Sequence, residues 1–342
     1  TGLVTLDTGL LVNNATMDLL TVDGGQATND GTINGAATVT GGTFTSTGSV
    51  NSTLALTGGV ATVTGTVGGI DIATGARLTV SGGTATLTAS GPGVDNRGRV
   101  SIANGTLTGD TFVNRGTLDL GAASEVAQLD NRATTTVIGD ATVSGASSNT
   151  GTFTVASGSV DLDDFTNTGT GIMTFAGATT TTGSLTMAGG TANLVDGADL
   201  SGAAMALNGG VVRVNGSVTV GSVTADAATP AGTTLIDMTA DGAVGTSLTI
   251  DGDAALFGTI AMDANLANTS AAAAGTDITD VISVTGDLSG DVVLALDNGG
   301  RLFAEQPNDH TIIDVVGTTA TGTSVTLQTG APSNGATLYT VE

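Results

Sequence analysis

One spelling, Asn-x-Gly or a close variant followed by a short alternating strand, returns along this chain at a nearly fixed distance and limits what it can fold into. It runs as Asn96-Arg97-Gly98, Asn114-Arg115-Gly116, Asn131-Arg132-Ala133, Asn149-Thr150-Gly151 and Asn167-Thr168-Gly169, at a spacing close to 18 residues. Upstream, Asn29-Asp30-Gly31, Gly48, Gly65 and Gly83 carry a glycine at similar spacing and extend the series. A fixed period of this length marks a solenoid or array, and it is too short for a strand-helix-strand unit of about 30 residues. It suits one coil of two or three short strands with their turns, each coil pairing in parallel with the next.

The residues between the corners support this reading. After each glycine, apolar residues stand two apart, as in Val100 and Ile102, Leu118 and Leu120, and Phe153 and Val155, which puts them on one strand face. Two residues before each Asn sits a further position, occupied by Val94, Phe112, Leu129, Ser147 and Phe165 and apolar in all but Ser147, which we read as an inward stack. Asn96, Asn114, Asn131, Asn149 and Asn167 then fall one above another, and stacked amides can pass hydrogen bonds from coil to coil. Beside them Arg97, Arg115 and Arg132 form a second row, whose like charges call for Asp95, Asp110, Glu125 or Asp130 between them; the other reading of this row is an anion or glycan site.

Composition narrows the core. The chain of 342 residues has 54 Gly, 4 Pro, no Cys, no Trp and only 2% aromatics, so its interior must be narrow and built from small side chains. With 39% hydrophobic residues and β-branched residues in alternation, a folded β protein is favoured over disorder. There is no Lys, and the net charge of −24 excludes a nucleic-acid phosphate backbone and anionic membrane surfaces as partners. No stretch approaches the roughly 20 apolar residues of a membrane helix, so no direct membrane insertion of this chain is expected.

The expected fold class is therefore all-β: a right-handed parallel β-helix with about 18 residues per coil and a C-terminal cap region. We divide it into residues 1–24 as an N-terminal cap or docking segment, 25–225 as the repetitive solenoid, and 226–342 as a C-terminal solenoid or cap region with longer strands. The Gly/Thr/Asn-rich rungs resemble passenger domains of Gram-negative autotransporter adhesins, and Thr276-Asp277-Ile278-Thr279-Asp280-Val281-Ile282-Ser283-Val284-Thr285-Gly286 is similar to a segment near the end of such passengers. The resemblance implies a surface-exposed β-helix on the outer cell surface, with Leu296 to Gln328 corresponding to a region that assists folding. The membrane barrel of that family does not follow here; the resemblance leaves cleavage from it, or another export route, as alternatives.

Chemistry is sparse. Asp161, Asp163 and Asp164 are the nearest match to the acidic site of a polysaccharide-cleaving β-helix, but only Arg132 lies within about two coils and no His is near. His310 is the sole histidine, in a turn-like stretch, and without Cys no zinc site is expected. No cofactor is expected; calcium is the one ion left open, although Asp251-Gly252-Asp253 and Asp287 to Asp291 match no calcium loop over their full length. The expected function is non-enzymatic: an extracellular structural or adhesive solenoid, self-associating into a fibre or layer or binding cell-surface glycans. The alternatives are a polysaccharide-active lyase or hydrolase and a calcium-dependent surface-layer protein.

Overall fold

The computed structural model describes residues 2–82, 84–87, 94–109, 111–177, 179–228, 233–264, 279–297 and 312–328. These residues contain no helix and form a parallel β-solenoid of about 11 turns, with about 19 residues per turn. The chain divides into two compact units, 1–165 and 166–342.

In the first unit a coil carries three short strands, as in Leu19–Val22, Gln26–Asn29 and Thr32–Ile33, or a short strand and a longer one, as in Thr43–Ser46 and Ser49–Leu56. The middle strands make an unbroken parallel ladder in which Gln26–Asn29 pairs with Thr43–Ser46, that strand with Val60–Val63, and that with Arg77–Ser81. Period-two alternation decides the faces: in Thr43–Ser46 the two threonines are exposed, while Phe44 and Ser46 are buried. Register then stacks the inward positions as Ala27, Phe44, Ala61, Leu78, Val100, Leu118, Thr135 and Phe153. A large ring between two alanines is how so narrow an interior stays filled.

Corners set the glycines. At the corner before the middle strand, Gly25, Gly42 and Gly59 have φ of 72°, 66° and 66°, a left-handed conformation that a Cβ disfavours. At the corner after that strand the constraint is closeness: a Cβ on Gly48 would lie 2.0 Å from the Gly31 carbonyl oxygen, and one on Gly65 at 2.0 Å from that of Gly48.

Residues 2–24 form the opening coils of the same ladders, with Leu3–Leu6 paired to Leu19–Val22 and Leu10–Asn13 to Gln26–Asn29. In the second unit the middle ladder runs from Ile172–Phe175 through Thr191–Val195, Val211–Asn215, Thr234–Asp237, Gly258–Asp263 and Asp291–Asp297 to Ser324–Gln328. Pairing thus continues past residue 225, and the inward row reads Met173, Ala192, Val212, Ile236, Ile260 and Leu294. Its later coils are much longer: hydrogen-bonded partners one coil apart are separated by 17 to 18 residues at Thr47/Asp30 and Asn96/Asn114, and by 33 to 34 at Ser324/Asp291 and Asp287/Asp253. These excursions raise the mean period above the expected 18.

Candidate functional site

The Asn-x-Gly corner is a complete hydrogen-bonding unit. Asn96, Asn114, Asn131 and Asn149 are fully buried. Each amide N–H donates to the next coil's Asn oxygen, at 2.8 Å from Asn96 to Asn114, 2.9 Å from Asn114 to Asn131 and 2.7 Å from Asn131 to Asn149. The same nitrogens donate to the carbonyls of Thr117, Thr134 and Thr152, at the start of the next coil's middle strand. The side-chain oxygens turn back to accept the N–H two residues on, from Gly98 and Gly116, which is an Asx turn and explains the x-Gly spelling. In the second unit the fully buried Asn167 donates to the carbonyls of Gly171 and Gly189.

The upstream series needs correction. Asn29-Asp30-Gly31, Gly48 and Gly65 lie at the corner after the middle strand, whereas Asn96 to Asn149 lie at the corner before it. There Asn13 donates to Asn29 at 2.6 Å and Asn29 to Ser46 at 3.0 Å, a second, shorter ladder whose next register partner is the apolar Val63. Position 96, in turn, stacks on Ile72, which stacks on Leu56. Each corner is therefore either an amide row or an apolar row. Gly83, the fourth glycine of that series, lies outside the described residues, as do Asp110 and His310.

Outside the amides the arginines meet carboxylates. Arg97 Nε donates to Asp95 at 3.0 Å, Arg115 Nε reaches the other oxygen of Asp95 across one coil at 3.1 Å, and Arg132 Nε donates to Asp130 at 2.8 Å. All three guanidinium groups are exposed, so solvent and salt screen these pairs and each contributes little. Asp161, Asp163 and Asp164 are exposed on the strand Ser159–Asn167, with Asp163 accepting the Gly145 N–H at 3.3 Å.

Most other acids singled out by the sequence tie coils together. Asp251 accepts the Thr285 hydroxyl, Asp253 the Asp287 N–H, Asp287 both the N–H and the hydroxyl of Thr318, and Asp291 the Ser324 hydroxyl. In the first unit Asp23 and Asp30 do the same for the hydroxyls of Thr40 and Thr47. No protein-family model matches the chain, and no curated protein matches it in sequence. Among the described residues no group of three His, Cys, Asp or Glu is arranged to hold a metal ion. Because these carboxylates already accept protein donors, a chelator is expected to leave the thermal midpoint unchanged; a midpoint that rises by several degrees with added calcium would show a structural ion instead.

Two residues that the sequence did not single out as a site are the most unusual acids among the described residues. Asp263 is 8% exposed and Asp280 fully buried, and the Asp263 N–H donates to Asp280 Oδ2 at 2.7 Å. Asp280 Oδ1 accepts the Thr246 N–H at 3.0 Å. Burial above all pushes both carboxyls up to about 6, with nearby Asp297, Asp241 and Asp237 adding repulsion at Asp263. The pattern around them, Thr279-Asp280-Val281, reads as an ordinary strand entry, and no sequence signal marks its burial.

Proposed function

We propose that the protein is a non-enzymatic extracellular solenoid, a structural or adhesive element on the outer surface of a Gram-negative bacterium or in its biofilm matrix. The observation that carries this reading is where the polar groups go. The corner amides and most of the singled-out carboxylates are spent on hydrogen bonds between coils, which leaves repeated outward Thr, Asn and Asp side chains as the surface that meets a partner. Such contacts are individually weak and gain strength by repetition. The resemblance of the rungs to autotransporter passengers supports the location, and the partners proposed are further copies of the chain or cell-surface glycans.

Negative-stain microscopy and sedimentation of the purified chain, with binding to bacterial-surface and host glycans, test this together. Filaments, sheets or saturable glycan binding are the expected results. A protomer that stays single at every concentration and binds no glycan overturns the proposal, as does release of reducing or unsaturated ends from a polysaccharide that is lost when Asp161, Asp163 and Asp164 are changed to Asn.

A further inference from the structure

We propose that Asp263 and Asp280 form a proton-dependent clasp between two successive coils of the second unit, closed in mildly acidic surroundings and weakened as they become neutral to alkaline. The geometry comes from the backbone. Asp263 ends the strand Gly258–Asp263, and Asp280 immediately precedes Val281–Val284 of the next coil. The Asp280 N–H donates to the Asp263 carbonyl at 3.0 Å while the Asp263 N–H donates to the Asp280 side chain, and Ala264 and Thr279 beside them form an antiparallel bridge. Through Thr246 the Asp280 carboxylate also holds the entry to Ser247–Ile250, so one side chain joins both ends of a coil to the coil that follows.

The hydrogen bonds decide where the proton sits. Both Asp280 oxygens accept backbone N–H groups, which favours the charged form. Asp263 Oδ2 is buried with no hydrogen-bond partner among the described residues, so it is the oxygen free to carry the proton. The charges that act on Asp263 among the described residues are anions. Asp237 comes from the strand before, Asp241 from the turn that follows it, and Asp297 faces Asp263 in register from the strand after. Asp237 itself is engaged by the Arg213 guanidinium. A carboxyl in such surroundings keeps its proton to a higher pH than a free one.

The sign follows from linkage. A carboxyl whose folded value is raised from 3.8 to about 6 stabilises the fold fully below its unfolded value, and that contribution is lost as pH rises through about 6. Asp199 and Asp287 work the other way: donors from Ser201 and Thr318 hold them below the usual carboxylate range, so their contribution is present at neutral pH and lost on acidification. The second unit is then most stable between these two limits.

Hydrogen–deuterium exchange on the full chain tests the clasp, with protection factors corrected for the intrinsic pH dependence of exchange. Peptides covering Thr246, Asp263 and Ile282 are expected to lose about tenfold in protection between about pH 5 and about pH 8, while peptides from Asn114 to Asn149 change little. Asp263→Asn, which mimics the protonated acid, is expected to flatten that slope and to raise protection at the higher pH. Asp297→Asn, which leaves both buried groups in place, is expected to move the transition to lower pH. A wild-type slope retained in Asp263→Asn, or no transition in the wild type, overturns the proposal, and so does a transition that stays in place in Asp297→Asn.

Discussion

Replacing Asn131 with alanine is expected to destabilise the first unit by about 3–5 kcal/mol, among the largest effects of any single polar substitution in the chain. The side chain stands in the middle of the amide row, so the loss falls on both sides. The Asn114 amide loses an acceptor, the Asn149 oxygen and the Thr152 carbonyl lose a donor, and the Thr135 hydroxyl loses its bond to the Asn131 oxygen. At about 1–3 kcal/mol for each buried group left unsatisfied, partial rescue by the remaining bonds still leaves several kcal/mol. Urea unfolding followed by exchange on peptides of the first unit measures it, since a solenoid need not melt in one step. Arg132→Ala next door is the control: loss of its exposed, screened ion pair with Asp130 should leave stability nearly unchanged.

The same row makes a sharper claim about non-additivity. Leu56 and Ile72 occupy this corner in earlier coils and are fully buried, so the site accepts an apolar stack as readily as an amide one. Changing Asn96, Asn114, Asn131 and Asn149 together to leucine removes the amide-to-amide donors and acceptors in pairs and leaves backbone groups, such as the Thr134 carbonyl and the Gly116 N–H, without their side-chain partner. It is therefore expected to cost far less per residue than Asn131→Ala alone. An equal cost per residue would mean that the amides act independently, contrary to the ladder.

How far the sequence could be read follows from the same corners. The Asn-x-Gly spelling is visible because three requirements coincide in three residues: an amide that stacks, an N–H two residues on that it caps, and a glycine where coils approach closely. A Cβ on Gly116 would lie 2.1 Å from the Gly98 carbonyl oxygen, yet Ala133 holds the equivalent place one coil later, so the corner can spread for one methyl. Phe112 and Leu129 are legible as an inward stack because strand alternation has only two phases. Ser147 breaks the apolar pattern but remains inward, buried, and accepts the Leu129 N–H at 3.0 Å.

Phase between distant coils was not legible in this way. Gly31, Gly48 and Gly65 share the period of the later series but belong to the other end of the middle strand, because a constant spacing fixes the step and not the corner. Arg99 pairs with Arg77 across a coil longer than its neighbours, and there one amide corner has ended and the other begins. Asp263 and Asp280 were hidden for a related reason. Their burial depends on a long coil closing on itself through an antiparallel bridge, a contact that no local pattern announces.

Phe153→Ala is expected to cost about 3–5 kcal/mol, and it tests whether the aromatic-poor core depends on its few rings. Phe153 is fully buried above Thr135, and its ring centroid lies 4.9 Å from that of Phe165, tilted by 53°. In a coil this narrow the neighbours are held by parallel ladders on both sides, so the backbone cannot collapse into the space that the ring leaves. Phe165→Ala should cost a similar amount, and the double mutant should recover about 0.5–1.5 kcal/mol of coupling from the lost ring pair. Phe44 provides the comparison: its register partners are Ala27 and Ala61, with no ring adjacent in its row, so Phe44→Ala should show the cavity cost without an aromatic coupling term. Full additivity of Phe153 and Phe165 in chemical denaturation would argue that the rings fill space separately. Coupling would show that the end of the first unit is held by one aromatic contact in a core otherwise rich in small aliphatic side chains.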